Sequence, residues 1–212
     1  MRLIEKFVMQ CRKPSGRLGR FVGISMNYGH TKVRQWGLSH ISIKPDSCVL
    51  DIGCGGGKTV KEIASSVTKG KVYGIDYSED MVQLSKKVND NLIKQSIVEI
   101  MFGTVSSLPF PDNMFDFVTA FETYYFWPDL MNDLIEVKRV LKPGAFLLLV
   151  HATYKDDQFE KRNSKLVNLL DIKIHTPDEY KNFLFEAGYQ IENINILHEK
   201  NWITVVAKKS ES

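Results

Sequence analysis

The chain has 212 residues, 43% of them hydrophobic and 25% charged, with a net charge of +3. This is ordinary globular usage, enough for a substantial core in one large domain, or in a domain with a small attachment. No apolar run approaches the roughly 18 residues of a membrane span, and Cys11, Cys48 and Cys54 fit neither a disulfide framework nor a zinc site.

Residues 1–46 form an arm ahead of the first expected strand. Its start, "MRLIEKFVMQCRK", breaks its apolar residues with Glu5 and Lys6, which argues against a signal peptide. Six basic residues (Arg2, Lys6, Arg12, Lys13, Arg17 and Arg20) face Glu5 alone. They read either as a solvated face or as a contact for nucleic acid or an anionic substrate. A helix is expected over "TKVRQWGLSHI", before the Pro45-Asp46 turn.

From residue 47 strands and helices alternate. "SCVLDIG", "GKVYGID" and "SIVEIMFG" are short, rich in Val and Ile, and bounded by glycine or polar turns, as strands are. "KTVKEIASSV" and "SEDMVQLSKKVNDNLI" separate them with apolar residues at helical spacing, the second capped by Ser78. "MFDFVTAF", "PDLMNDLIEVKRVL" and "AFLLLVHAT" continue as strand, helix and strand. "TPDEYKNFLFEAG" is a helix with Thr176 as N-cap and Pro177 in first position. "YQIENINIL" and "WITVVAK" follow as consecutive strands, hence an antiparallel pair. The pattern predicts an α/β fold: a Rossmann-like, doubly wound, seven-stranded, mostly parallel sheet with an antiparallel C-terminal hairpin strand and an N-terminal helical lid. The expected organisation is an arm over 1–46 and a main domain over 47–209. Residues 153–175 form an excursion that is a second candidate lid, because ligands in such sheets bind beyond the strand ends.

"GCGGGKT" after the first strand admits three readings. A P-loop needs a glycine five residues before Gly57, and Ile52 stands there. A dinucleotide fingerprint needs a small residue at position 58, which is Lys58. The third pattern places Asp51 two residues before Gly53-Cys-Gly55-Gly-Gly57. Here the chain resembles the class I S-adenosylmethionine-dependent methyltransferases over roughly residues 45–209. "GIDYSEDMV", "GTVSSLPFPDNMFDFV" and "EVKRVLKPGAFLLLV" are similar to further motifs of that family, in the same order.

The resemblance implies S-adenosylmethionine as cofactor. Gly53, Cys54 and Gly55 would approach its methionyl part, and Asp51 its amino group. Asp76 would accept from both ribose hydroxyls, with Tyr77 and Met81 flanking the adenine. Thr104 stands where the family often has Asp, so adenine recognition would lean on the amide of Val105. Tyr28 or His30 on the arm would touch the cofactor or substrate, and Phe121 ends the fourth strand beside it. Substrate-facing candidates are Glu122, Tyr124, Tyr125 and His151, with Trp127 and Tyr154 as further pocket residues. "FETYYFWPD" lacks the motif of nucleic-acid amine methyltransferases, while "LPFPDNMFD" resembles small-molecule members such as the ubiquinone/menaquinone type. The expectation is methyl transfer to a small-molecule acceptor in the cytoplasm, with no metal, no membrane and no nucleic acid as partner. Two alternatives stay open: methylation of RNA or protein, and a non-catalytic cofactor-binding regulator.

Overall fold

A computed structural model describes residues 10–211. Arg2, Glu5 and Lys6 of the basic arm lie outside the described residues. Seven strands form one sheet in the order β3-β2-β1-β4-β5-β7-β6. They are β1 Cys48–Ile52, β2 Lys71–Asp76, β3 Val98–Phe102, β4 Phe115–Phe121, β5 Leu141–His151, β6 Tyr189–Leu197 and β7 Trp202–Lys209. Neighbours from β3 to β5 run parallel, and β7 lies antiparallel between β5 and β6. The order reverses between β1 and β4, which opens a crevice beyond their carboxyl ends.

The helices are α1 Gly16–Gly29, α2 Thr31–Leu38, α3 Lys58–Ala64, α4 Glu79–Val88, α5 Asp90–Lys94, α6 Leu130–Val140, α7 Glu160–Leu170 and α8 Pro177–Glu186. Both faces of the sheet are covered. Val49, Val60, Ile63, Val72 and Val82 close one side, while Leu134, Val137, Leu147, Tyr180 and Leu184 close the other. The N-terminus of α8 is a complete capping box between Thr176 and Glu179, as its spacing predicts.

Three elements differ from the sequence expectation. The single helix expected over 78–93 breaks into α4 and α5 at Asn89, whose amide donates back to Gly57 O at 3.0 Å and Ser85 O at 2.9 Å. Strand β5 starts at Leu141, ahead of the expected start at Ala145, with a register shift opposite Phe115 and Phe117. Helix α1 gives little sign in sequence, because an interior glycine costs a helix about 0.5–1 kcal/mol relative to alanine. Here the glycines allow close contact: a Cβ on Gly23 would lie 2.5 Å from Met81 Sδ on α4.

The arm is tied to the end of β2. The Gly16 amide donates to Asp80 Oδ2 at 2.7 Å, and Arg20 Nε to Asp80 Oδ1 at 3.0 Å. The Tyr77 hydroxyl donates to Arg12 O, and the Ser78 hydroxyl to Pro14 O.

Candidate functional site

A cavity of about 540 Å³ opens at the β1/β4 switch point, within the usual range for small-ligand sites. Its floor is the turn after β1. Gly53 and Gly55 adopt φ values of +68° and +51°, a region costly to residues with a Cβ. A side chain on Gly53 would strike Thr123 at 2.5 Å, whereas the space beside Gly55 is open out to 4.0 Å. The turn therefore presents bare backbone to the cavity.

Two buried carboxylates stand behind this floor. Asp76 is 7% exposed and accepts from the Gly55 amide and the Ser78 amide, each at 2.8 Å. Burial raises its pKa, against the pull of those two amides. Asp51, 1% exposed, accepts from the Thr119 hydroxyl at 2.8 Å. Burial lifts its pKa to about 7, offset in part by Thr119 and Arg34 and reinforced by the charge of Asp76. Two acids held this way favour a ligand bearing cations and hydrogen-bond donors.

Arg34, on α2, also lines the cavity and is 3% exposed. Its Nε and Nη2 fork onto Glu62 at 2.7 and 2.9 Å. Nη2 also reaches Thr31 and Nη1 donates to Asn27 O, so one guanidinium N–H is left over. Sequence reading missed Arg34, Asn27 and Thr119. A lone arginine in a short amphipathic helix carries no spacing signal, and its importance shows only in its burial.

The far wall comes from the end of β4 and the turn Tyr124–Phe126. Glu122 has a left-handed backbone, φ +59°, a conformation costing a non-glycine residue about 1–2 kcal/mol. Its amide donates to Val150 O at 3.0 Å, and its carboxylate accepts from the Ala152 amide and, at 2.8 Å, the Tyr125 hydroxyl. Burial and the Glu122 charge push the Tyr125 phenol well up, so it stays a donor. Phe126, Trp127 and Pro128 extend this wall, and Leu166 and Leu170 of α7 also border the cavity.

The cavity brings together Gly53, Cys54, Gly55, Asp76, Tyr77, Met81, Thr104, Val105, Phe121, Glu122 and Tyr125 of the expected residues, along with His30 and Trp127, while Asp51 stands buried behind the glycine turn and does not line it. Four others lie elsewhere. Tyr28 is 74% exposed, because the turn of α1 points its neighbours Met26 and Asn27 inward instead. His151 is fully buried, since the strand pleat sends it to the face opposite Val150 and Ala152, and neither ring nitrogen has a hydrogen-bond partner. Tyr124 packs beside it, ring centroids 4.3 Å apart, and its hydroxyl lies 2.8 Å from His175 Nδ1. Tyr154 turns away to Asp156 at 2.8 Å.

Residues 50–149 match the family model described as "Methyltransferase domain". The demethylmenaquinone methyltransferase of Bacillus mycoides is 36% identical over 126 residues, covering 58% of this chain and 52% of that protein. A S-adenosylmethionine-dependent methyltransferase of Aquifex aeolicus is 25% identical, with a TM-score of 0.66 over 82% of this chain and 88% of that one. The similarity over residues 50–149 is to a methyltransferase domain, and the cofactor it supports is S-adenosylmethionine. The same fold continues through the remaining strands. A Haloferax volcanii methyltransferase, solved in complex with a methyltransferase activator, is 18% identical with a TM-score of 0.81. That similarity covers 91% of this chain and 95% of the other, and it speaks to the fold alone. The chain spans about half the length, 52%, of the curated relatives it matches.

The cavity of the methyltransferase domain fits that cofactor. S-adenosylmethionine carries an ammonium and a sulfonium, which suit buried acids, and a ribose diol, which suits a carboxylate with free lone pairs. The open space beside Gly55 gives its backbone room to approach.

Proposed function

We propose that the chain transfers a methyl group to a small-molecule acceptor. The observation that carries this reading is a single cavity joining the glycine turn and Asp76 to an aromatic wall that bears one carboxylate, Glu122. When bound, S-adenosylmethionine supplies an electrophilic methyl carbon on a sulfonium.

The chain's own residues bind, orient and exclude water. Asp76 would hold the ribose hydroxyls, and Asp51, buried behind the glycine turn, would lie near the ammonium, directly or through water. The spare N–H of Arg34 would meet the carboxylate, and Tyr77, Met81, Thr104 and the Val105 amide would surround the adenine. Positioning two reactants in this way contributes roughly 7–11 kcal/mol to a displacement reaction. Glu122 is the acceptor-facing group: with Tyr125 and Ala152 fixing its carboxylate, its remaining lone pairs accept a hydrogen bond or a proton from an O–H or N–H. Tyr125, Phe126 and Trp127 favour a flat, apolar acceptor. The arm and α7 act as lids that keep water from the reacting centre. Tyr124 and His151 serve the wall from behind, by packing. The similarity to a demethylmenaquinone methyltransferase supports a small-molecule acceptor, and the free thiols Cys11, Cys48 and Cys54 suit a cytoplasmic setting.

The test is incubation of the chain with methyl-labelled S-adenosylmethionine and a cell extract separated into metabolite, RNA and protein fractions. Label in the metabolite fraction, abolished by Asp76→Ala, is the expected result. Label confined to RNA or protein would contradict the small-molecule reading, and no label anywhere would contradict transfer itself.

A further inference from the structure

Four exposed large hydrophobic side chains lie on one helix. Leu18, Phe21, Ile24 and Tyr28 of α1 are 48%, 70%, 44% and 74% exposed. Steps of three, three and four residues align them along one face. The other face is already occupied, since Gly19, Val22 and Gly23 are buried and Met26 and Asn27 line the cavity. Helix α7 shows the same division: Leu166 and Leu170 line the cavity, while Leu169 is 42% exposed. Helices α1 and α7 thus both border the cavity and also turn apolar side chains to solvent.

Charge is gathered on the same element. Residues 10–45 contain seven Lys and Arg and no Asp or Glu, whereas residues 46–212 contain 24 acidic and 19 basic residues. Lys13, Arg17, Arg20 and Lys32 are exposed on or beside α1, with Arg20 also paired to Asp80 at 3.0 Å. The molecule has a basic, apolar pole on a net acidic body. A surface helix that combines an apolar stripe with cations lies in the interface of an anionic bilayer, its stripe below the headgroups and its cations among them. Nucleic acid would match the cations but leave Leu18, Phe21 and Ile24 without a partner.

We propose that the outer face of α1 docks the molecule on an anionic lipid surface. This is attachment at the surface: among the described residues no helix is long and apolar enough to cross a membrane. It holds independently of which acceptor is methylated, and it revises the expectation of no membrane partner.

Flotation of the full chain with phosphatidylglycerol–phosphatidylcholine vesicles, against phosphatidylcholine vesicles alone, tests the proposal. The chain is expected to float with the anionic vesicles and not with the neutral ones, and to be released by salt. The pair Leu18→Ser with Phe21→Ser is expected to weaken vesicle binding by about tenfold or more, and Lys13→Gln with Arg17→Gln by about fivefold per charge. Unchanged S-adenosylmethionine affinity in the serine pair shows that it is folded. Absence of flotation with anionic vesicles would overturn the proposal, as would flotation that survives the serine pair. A dimer in solution dispersed by that same pair would also overturn it, assigning the face to a second copy of the chain.

Discussion

The two walls of the cavity are built differently. The cofactor wall is local: Asp51 to Gly57 and Asp76 to Ser78 are two short strand-to-helix turns, set side by side by β1 and β2 pairing in register. The acceptor wall is assembled from distant segments. Glu122 is held by Ala152, the turn Tyr124–Phe126 is backed by His175, and the arm and α7 close over it. A local wall can be written in a few residue types and reused for one ligand. An assembled wall can change through any of several segments, so under the proposed function it is where acceptor specificity would lie.

If the walls are separable in this way, substitutions in them should have separable effects. The largest effect is expected from Glu122→Gln, which removes the acceptor-facing charge while keeping the Tyr125 contact. Turnover should fall by about 10²-fold or more, with S-adenosylmethionine affinity unchanged by calorimetry; an equal loss in affinity would merge the two walls into one. On the cofactor side, Asp76→Ala removes the carboxylate proposed to accept from both ribose hydroxyls. Affinity should drop by about 10²-fold, and a variant that binds normally would remove Asp76 from the site.

Arg34→Gln sharpens the border between the walls, because Arg34 sits on the arm but is assigned to the cofactor. It should weaken cofactor binding by about tenfold and lower Tm by leaving Glu62 without its forked partner. If only acceptor KM moved, Arg34 would belong to the other wall.

The smallest effect is a pH dependence. Burial raises the Asp51 pKa to about 7 in the free protein, so at lower pH the carboxyl is neutral and a cationic ligand gains less from it. Affinity should rise as pH passes through about 7 and then level off, with proton release on binding below that point. The stability sign is opposite: with its folded pKa raised, Asp51 lowers stability as pH rises from the usual carboxylate range towards 7. Asp51→Asn should flatten both profiles.

This contrast also explains what was legible in the sequence. Every strand was readable, since each is a short Val- and Ile-rich run bounded by turns, and most of the residues expected around the glycine turn do line the cavity, with Asp51 behind it and Tyr28 outside it. Helix α1 was not, because its glycines mask helical propensity and matter only once packed on Met81. On the acceptor wall, residue type and position in "FETYYFWPD" pointed to Tyr124 as readily as to Tyr125. Only the direction of a three-residue turn separates the core tyrosine from the cavity one. His151 was misplaced for a similar reason: one step along a strand exchanges its faces. Arg34 and Asn27 needed the arm to be folded back over the β1 turn before they became part of the cavity lining.

The account stands most directly on isothermal titration calorimetry of the full chain with S-adenosylmethionine, NAD and ATP. It predicts saturable binding of S-adenosylmethionine alone, weakened about 10²-fold in Asp76→Ala and kept in Glu122→Gln. Binding of NAD or ATP in its place would contradict it.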